Sequence, residues 1–193
     1  MLTRSPPPPE ITDVLDRGER VIWSGQPRQG LMLRGSDGFA IPFALVWTSI
    51  PLVGALSTLT GPKSNPFALL PILPFVLVGL YLLVGRFFVD AAQRRRTYYA
   101  LTNERIVIVS GLSSRSVRSL ALRSLEQVDV SERASGQGTI TFGRSASGSF
   151  ALAGWPGMKS YQAPAFEMIA DAAAVAKLIR DAQRAATAPA ERA

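Results

Sequence analysis

Residues Gly38–Thr60 read GFAIPFALVWTSIPLVGALSTLT, and residues Pro66–Val89 read PFALLPILPFVLVGLYLLVGRFFV. Neither stretch contains a charged residue before Arg86, and the turn between them contains only Lys63. Each is close to the roughly 20 residues with which an α-helix crosses about 30 Å of hydrocarbon, and Leu, Ile, Val and Phe favour insertion. The two stretches therefore predict a transmembrane hairpin, with helices over 38–60 and 66–89 and an external loop over 61–65.

A buried helical hairpin in a soluble core is the alternative interpretation of these stretches. Four internal prolines, Pro42, Pro51, Pro71 and Pro74, predict kinks in both helices, because proline removes a backbone donor. Membranes tolerate such prolines, since neighbouring helices can satisfy the freed carbonyl groups. The prolines therefore do not overturn the membrane interpretation.

Positive charges predict the orientation of the hairpin, because cytoplasmic loops carry an excess of Lys and Arg. Arginines flank both stretches: Arg4, Arg17, Arg20, Arg28 and Arg34 before the first, and Arg86, Arg94, Arg95 and Arg96 at the end of the second. We therefore expect a multi-pass membrane protein with both termini in the cytoplasm. Residues 1–9 lack an apolar signal core and are rich in proline, so we expect them to be disordered rather than cleaved.

Composition leaves room for one small soluble domain beside the hairpin. The chain has 193 residues and a net charge of +7, without cysteine or histidine. This excludes disulfides, thiol nucleophiles, Cys/His zinc sites and imidazole bases, so we expect a protein that is not an enzyme and needs no cofactor. The positive charge favours anionic membrane lipids as partners. Nucleic acid is not an expected partner, because stacking aromatic residues do not alternate with the basic ones.

The polar sequence on either side of the hairpin predicts short strands and helices. The cytoplasmic segment 10–37 should hold a short helix and a strand over Glu19–Trp23. After the hairpin, a β domain over 97–186 begins with two strands, Thr97–Leu101 and Glu104–Ser110, joined by a tight turn. Further strands are predicted over Ser116–Leu120, Leu125–Ser131, Gly138–Phe142 and Ala165–Ile169, with a short one at Ser149–Leu152 inside a loop over Gly143–Ser160. A last helix, from Asp171 to about Arg184, should close the sheet, and 187–193 should be a disordered tail.

The order of these pieces resembles the bacterial pleckstrin-homology-like membrane proteins. The resemblance rests on GERVIWSGQP (Gly18–Pro27), YYALTNERIVIVSG (Tyr98–Gly111), LALRSLEQVDV (Leu120–Val130) and GTITF (Gly138–Phe142), arranged around the hairpin. It covers about Asp16 to Arg184, and the long Gly143–Ser160 segment departs from it. The resemblance implies an α+β protein of the bacterial inner membrane, in which a seven-stranded antiparallel barrel or sandwich is capped by one C-terminal helix. Such a fold binds lipids, peptides or copies of itself.

Arginine side chains are the candidate binding residues. Those at the end of the second apolar stretch are candidates for lipid headgroups or plain topology signals: Arg86, Arg94, Arg95 and Arg96. Those of the β domain are candidates for a binding surface, although neighbours on one strand point to opposite faces: Arg105, Arg115, Arg118 and Arg123. The acidic residues Glu126, Asp129 and Glu132 are better explained as a solvated face than as a metal site.

Two functions remain open from the sequence. In the first, the hairpin tethers a non-catalytic module to the cytoplasmic face, where it binds a protein or lipid partner or assembles with itself. In the second, the hairpin acts as a transport or channel accessory whose helices associate through small residues, namely Ala40, Ala44, Gly54 and Gly79. Neither apolar stretch carries an internal ionisable residue, which most ion paths display, so the first function is favoured.

Overall fold

The computed structural model of the chain describes residues 7–31, 37–61, 66–112, 114–133, 136–143 and 163–187. The chain divides into two compact units, which are described separately below. Among the described residues, the first unit takes those up to Gly30 and those from Ala92 onward, and the second takes those within Leu31–Ala91. The strand predicted at Ser149–Leu152 lies outside the described residues.

The helices and strands follow one another along the chain in this order. They are α1 (Pro9–Thr12), β1 (Val21–Gly25), α2 (Asp37–Thr60), α3 (Leu73–Leu80), α4 (Arg86–Arg95), β2 (Tyr98–Thr102), β3 (Arg105–Ser110), β4 (Ser116–Ala121), β5 (Val128–Glu132), β6 (Gly138–Phe142), β7 (Ala165–Ile169) and α5 (Ala172–Thr187). Short 3-10 turns lie at Pro66–Leu69 and Leu122–Ser124, and a π-helical segment lies at Tyr81–Gly85.

The first unit contains two antiparallel sheets. One has the order β1-β2-β3-β4 and the other has the order β5-β6-β7. The 3-10 turn Leu122–Ser124 separates β4 from β5 along the chain, and each of these strands is the edge of its own sheet. The prediction of a closed barrel is therefore wrong, because the described strands form two layers. The alternative of a sandwich agrees with these layers, since residues of both sheets share one core.

Sheet residues alternate between two buried faces in the four-stranded sheet. One face, with Tyr99, Leu101 and Ile106 among its members, packs against the three-stranded sheet and α5. Phe166 of β7 is at the centre of this core, with its ring centroid 4.8 Å from that of Tyr99 and 5.0 Å from that of Phe142. Helix α5 contributes apolar side chains at helical spacing, namely Ala172, Val175, Ala176, Ile179 and Ala182. The predicted C-terminal helix is confirmed, although it continues to Thr187.

The other face of the four-stranded sheet is covered by the N-terminal helix. Ile11 of α1 is fully buried against Ala100, Val107 and Val109. Strand β1 pairs with β2, so Trp23 lies opposite Leu101. The helix and the strand that precede the apolar stretches therefore pack on the β domain.

The second unit consists of two apolar helical segments. Asp37–Thr60 and Leu73–Arg95 are each long and apolar enough to cross a membrane, and only 6% and 11% of their most apolar parts are buried. The sequence predicted that the second helix begins at Pro66, but a 3-10 turn lies there and the α-helix begins at Leu73. Pro71 lies in the turn before α3 and Pro74 lies in its first turn, where the missing N–H disrupts no helical hydrogen bond.

The two segments pack closely where their side chains are small. Ala44 and Thr48 of α2 are buried, and the Thr48 hydroxyl donates to the Ala44 carbonyl oxygen at 2.6 Å. A Cβ atom on Gly79 of α3 would overlap the Thr48 side chain. At the other end, Asp37 Oδ1 lies 2.9 Å from Nη2 of Arg86, with both side chains mostly buried. The close approach at Gly79 and the Asp37–Arg86 ion pair thus connect the two segments of the hairpin.

Candidate functional site

The turn between β2 and β3 is joined to the N-terminal segment by a buried carboxylate. Glu19 Oε1 accepts hydrogen bonds from the Thr102 hydroxyl at 2.7 Å and from Arg105 Nε at 2.9 Å. Arg105 Nη2 donates to Glu19 Oε2 at 2.9 Å and to Asp16 Oδ2 at 2.7 Å. The Arg105 guanidinium therefore binds both Glu19 oxygens, a strong and geometrically specific arrangement.

The charge state of Glu19 follows from these bonds. Burial raises the pKa of the Glu19 carboxyl, but hydrogen bonds from Arg105, the Asp16 backbone and Thr102 outweigh it and bring the pKa to about 2. The hydrogen bond with Glu19 is the main cause that raises the pKa of Arg105. The pair is thus fully ionised at neutral pH.

A second pair of bonds fixes the same turn. The Arg20 backbone N–H donates to Asn103 Oδ1 at 2.7 Å, and the Asn103 N–H donates to the Arg20 carbonyl at 3.1 Å. The sequence pieces GER (Gly18–Arg20) and LTNER (Leu101–Arg105) therefore bind each other. Of the predicted binding residues, Arg105 is engaged in this internal contact.

A cavity of about 350 Å³ lies on the side of the four-stranded sheet that α1 covers. Its polar lining comes from α1, from the start of β2 and from the turn between β3 and β4. The lining residues are Glu10, Arg96, Tyr98, Val109, Ser110, Gly111, Leu112, Ser114 and Arg115. This volume is within the range of about 300–1,000 Å³ that is common for small-ligand sites.

Two arginines, Arg96 and Arg115, belong to the lining of this cavity, and each guanidinium group donates to a backbone carbonyl. Arg96 Nη1 donates to the Leu112 carbonyl oxygen at 2.6 Å, and Arg115 Nη2 donates to the Glu10 carbonyl oxygen at 2.6 Å. Arg115 Nη1 also lies 3.7 Å from the exposed Asp13 carboxylate. A guanidinium carries five N–H donors, so these contacts use only part of the donor set on each side chain.

A carboxylate and a phenol complete the polar lining. Burial and a hydrogen bond to the Glu10 carboxylate raise the pKa of Tyr98, while a hydrogen bond with Gln26 opposes the shift. The Tyr98 hydroxyl is therefore neutral and donates to Glu10. The cavity thus presents both positive and negative groups on one apolar floor, which Val109 supplies.

The other predicted arginines lie apart from the cavity lining. Arg94 is buried, with Nη2 donating to the Gly30 carbonyl at 2.7 Å, and Arg86 pairs with Asp37. Arg123 Nε donates to the Ala186 carbonyl at 2.7 Å. Arg95 is exposed at the end of α4, and Arg118 is half-buried on β4. Of the eight candidate arginines, only Arg96 and Arg115 line the cavity.

Sequence reasoning missed the rest of the cavity lining. Glu10 follows the proline run and carries no recognisable signal, and Tyr98 reads as an ordinary strand residue. The acidic residues Glu126, Asp129 and Glu132 are all exposed. In the ranges that the structure describes, no group of three or more acidic residues is placed to hold a metal ion.

Two antiparallel sheets around one core, closed by a C-terminal helix, define the class of pleckstrin-homology-like domains. The bacterial PH domain family matches residues 49–183, and the chain belongs to this family. The predicted resemblance is confirmed, and domains of this class are generally non-catalytic binding modules. Comparison with curated proteins and with solved structures found no match.

Proposed function

We propose that this protein is a non-catalytic binding module anchored in the bacterial inner membrane by its apolar hairpin. The PH-like domain and both termini lie in the cytoplasm. The domain binds a lipid or protein partner through the cavity that Arg96 and Arg115 line. The same membrane anchor also favours association with a second copy of the chain. Anchoring raises the local concentration of any membrane-borne partner without requiring tight affinity.

The observation that carries this proposal is the exposure of the hairpin's apolar side chains. Phe39 is 78% exposed and Phe67 is 82% exposed, and the neighbouring Leu, Ile and Val side chains are similarly accessible. Removing one such side chain from water is favourable by about 1.5–3 kcal/mol. A soluble protein would bury helices this apolar, whereas lipid supplies the missing apolar surroundings.

The position of charges supports the same placement. Asp37 and Arg86 form an ion pair at one end of the hairpin, and the sequence between them contains one charged residue, Lys63. An ion pair at the interface compensates charges that would be unfavourable deeper in the bilayer. The arginine-rich end then faces the cytoplasm.

Transport through the hairpin gains no support from its packing. The close association that small residues permit occurs within the hairpin, where Ala44 and Gly79 face the partner segment. The proposal therefore assigns binding to the PH-like domain and anchoring to the hairpin.

Alkaline carbonate extraction of membranes tests the anchor directly. The full-length protein should stay in the membrane pellet, because carbonate releases proteins that are held by charge and leaves those whose apolar helices lie in lipid. A peripheral membrane protein in the same preparation should be released and serves as the control. Recovery of the full-length protein in the carbonate supernatant would refute the anchor.

A further inference from the structure

We propose that the cavity lined by Arg96 and Arg115 binds the phosphoethanolamine headgroup of a membrane lipid. The two guanidinium groups hold the phosphodiester, and the Glu10 carboxylate holds the primary ammonium group. This inference rests on the proposed function, and it names the ligand of the same domain.

The phosphate half of the site follows from the two arginines. Each guanidinium is fixed by a hydrogen bond of 2.6 Å to a backbone carbonyl, so neither side chain has to be ordered anew when a ligand binds. Guanidinium groups match phosphate oxygens in geometry as well as in charge. The hydroxyl groups of Ser110 and Ser114 lie in the same lining and can donate to further phosphate oxygens.

The ammonium half of the site follows from Glu10. This carboxylate is half-buried in the lining and accepts a hydrogen bond from Tyr98, which orients it. An ionised carboxylate has about four acceptor sites, so Glu10 keeps acceptors for a ligand amine. A purely anionic ligand would leave the Glu10 carboxylate without a cationic partner, and a purely cationic one would be repelled by the two arginines. A zwitterion satisfies both signs of charge.

A primary amine fits this lining better than a quaternary one. Quaternary ammonium groups donate no hydrogen bonds and are recognised by several aromatic rings together. Tyr98 is the one aromatic residue among the lining residues that the structure describes, while Glu10 offers a hydrogen-bond acceptor. Phosphoethanolamine is therefore favoured over phosphocholine.

The chain itself keeps the site near lipid headgroups. Seven residues lead from Val89, the last of the second apolar stretch, to Arg96, and most of them are in α4. A connection this short limits how far the domain can move from the headgroup layer, which is about 5–7 Å thick on each side of the hydrocarbon. Leu112, 42% exposed at the cavity, offers apolar contact to the lipid glycerol.

Calorimetric titration of the detergent-solubilised full-length protein tests the headgroup specificity. The probes are glycerophosphoethanolamine, glycerophosphocholine, glycerophosphoglycerol and inorganic phosphate. We expect glycerophosphoethanolamine to bind about tenfold more tightly than the other three, because only its ammonium group can donate a charge-assisted hydrogen bond to Glu10.

Matched variants separate the two halves of the site. Arg96→Gln and Arg115→Gln should each weaken glycerophosphoethanolamine binding about tenfold, and Glu10→Gln should remove the preference over glycerophosphocholine. The controls Arg123→Gln and Glu126→Gln change exposed charges outside the lining and should leave binding unchanged. Arg96→Gln leaves the Arg115 contact to α1 intact, so it remains informative even where Arg115→Gln disturbs the fold. Equal affinity for glycerophosphoethanolamine and glycerophosphoglycerol, or unchanged binding by Arg96→Gln and Glu10→Gln, would overturn the inference.

A second measurement identifies the source of the headgroup. Native mass spectrometry of the protein released from nanodiscs containing phosphatidylethanolamine and phosphatidylglycerol should show retained phosphatidylethanolamine, and less of it for Glu10→Gln. Binding of the soluble headgroup without any retained lipid would refute a lipid ligand. Release of the protein by carbonate would refute the anchor instead, and the titration of soluble headgroups would remain interpretable.

Discussion

The two compact units treat their large apolar side chains in opposite ways. In the PH-like domain, Phe142 and Phe166 are at most 1% exposed, whereas Phe39 and Phe75 in the hairpin are 78% and 54% exposed. Apolar residues fill a core when the surrounding solvent is water. The opposite distribution in the hairpin is the one that the proposed membrane anchor requires, so exposure rather than apolar content distinguishes the two units.

Truncating one phenylalanine in each unit should show the largest difference between the two units in the free energy of unfolding. Phe166→Ala leaves a cavity among Trp23, Tyr99 and Phe142 and should lower the free energy of unfolding by about 3–5 kcal/mol. Phe75→Ala, in the exposed hairpin surface, should change it by less than about 1 kcal/mol. Urea unfolding of the detergent-solubilised protein, followed by Trp23 fluorescence after Trp47→Phe and Trp155→Phe, measures both. An equal loss of unfolding free energy in the two variants would contradict the proposal that the domain folds in water and the hairpin lies in lipid.

Placing a charge on each unit should have the next largest effect. Val53 is 65% exposed in α2 and Val130 is 39% exposed in β5. Val53→Arg would carry a guanidinium into the hydrocarbon and should disfavour insertion by about 3 kcal/mol, whereas Val130→Arg would project it into water. The fraction of protein in the carbonate-resistant pellet reports this difference. Unimpaired insertion of the Val53→Arg protein would argue against a lipid-facing α2.

Acid should weaken the PH-like domain through Glu19. The folded pKa of about 2 lies below the ordinary value of 4.5, so the ionised carboxylate stabilises the fold above pH 4.5, and this stability is lost as the pH falls toward 2. By pH 3 the loss should be about 2 kcal/mol. Glu19→Gln should be less stable at neutral pH and should lack this part of the acid dependence. Urea unfolding between pH 7 and 3 measures it, and identical pH profiles for both proteins would contradict the ion-pair account.

The regular elements were predictable because their signals are local. Alternating β-branched and aromatic residues located β2 and β3, and the strand Gly138–Phe142 has the predicted bounds. Length and the lack of charge located the two apolar helices. The separation of the strands into two sheets was not predictable, because it depends on whether β4 and β5 pair across a turn, and the geometry of that turn is not a local property.

The sequence predicted that arginines form the binding site, but it did not predict which arginines line the cavity. Arg105 and Arg115 read alike in the sequence, yet Arg105 binds a buried carboxylate and Arg115 lines an open cavity. The difference depends on Glu19 and Glu10, which are more than 80 residues away along the chain from their arginine partners. Contacts of such long range follow from the fold, because β1 and α1 pack on strands that come after the hairpin.

Cysteine labelling tests the central claim of a hairpin with its domain in the cytoplasm, and the natural absence of cysteine makes it clean. Lys63→Cys lies in the predicted external loop, and Ser131→Cys lies on the exposed strand β5. In right-side-out membrane vesicles, a membrane-impermeant maleimide should label the cysteine at position 63 and spare that at 131, and inverted vesicles should reverse the pattern. Labelling of both positions from the same side of sealed vesicles would contradict the account.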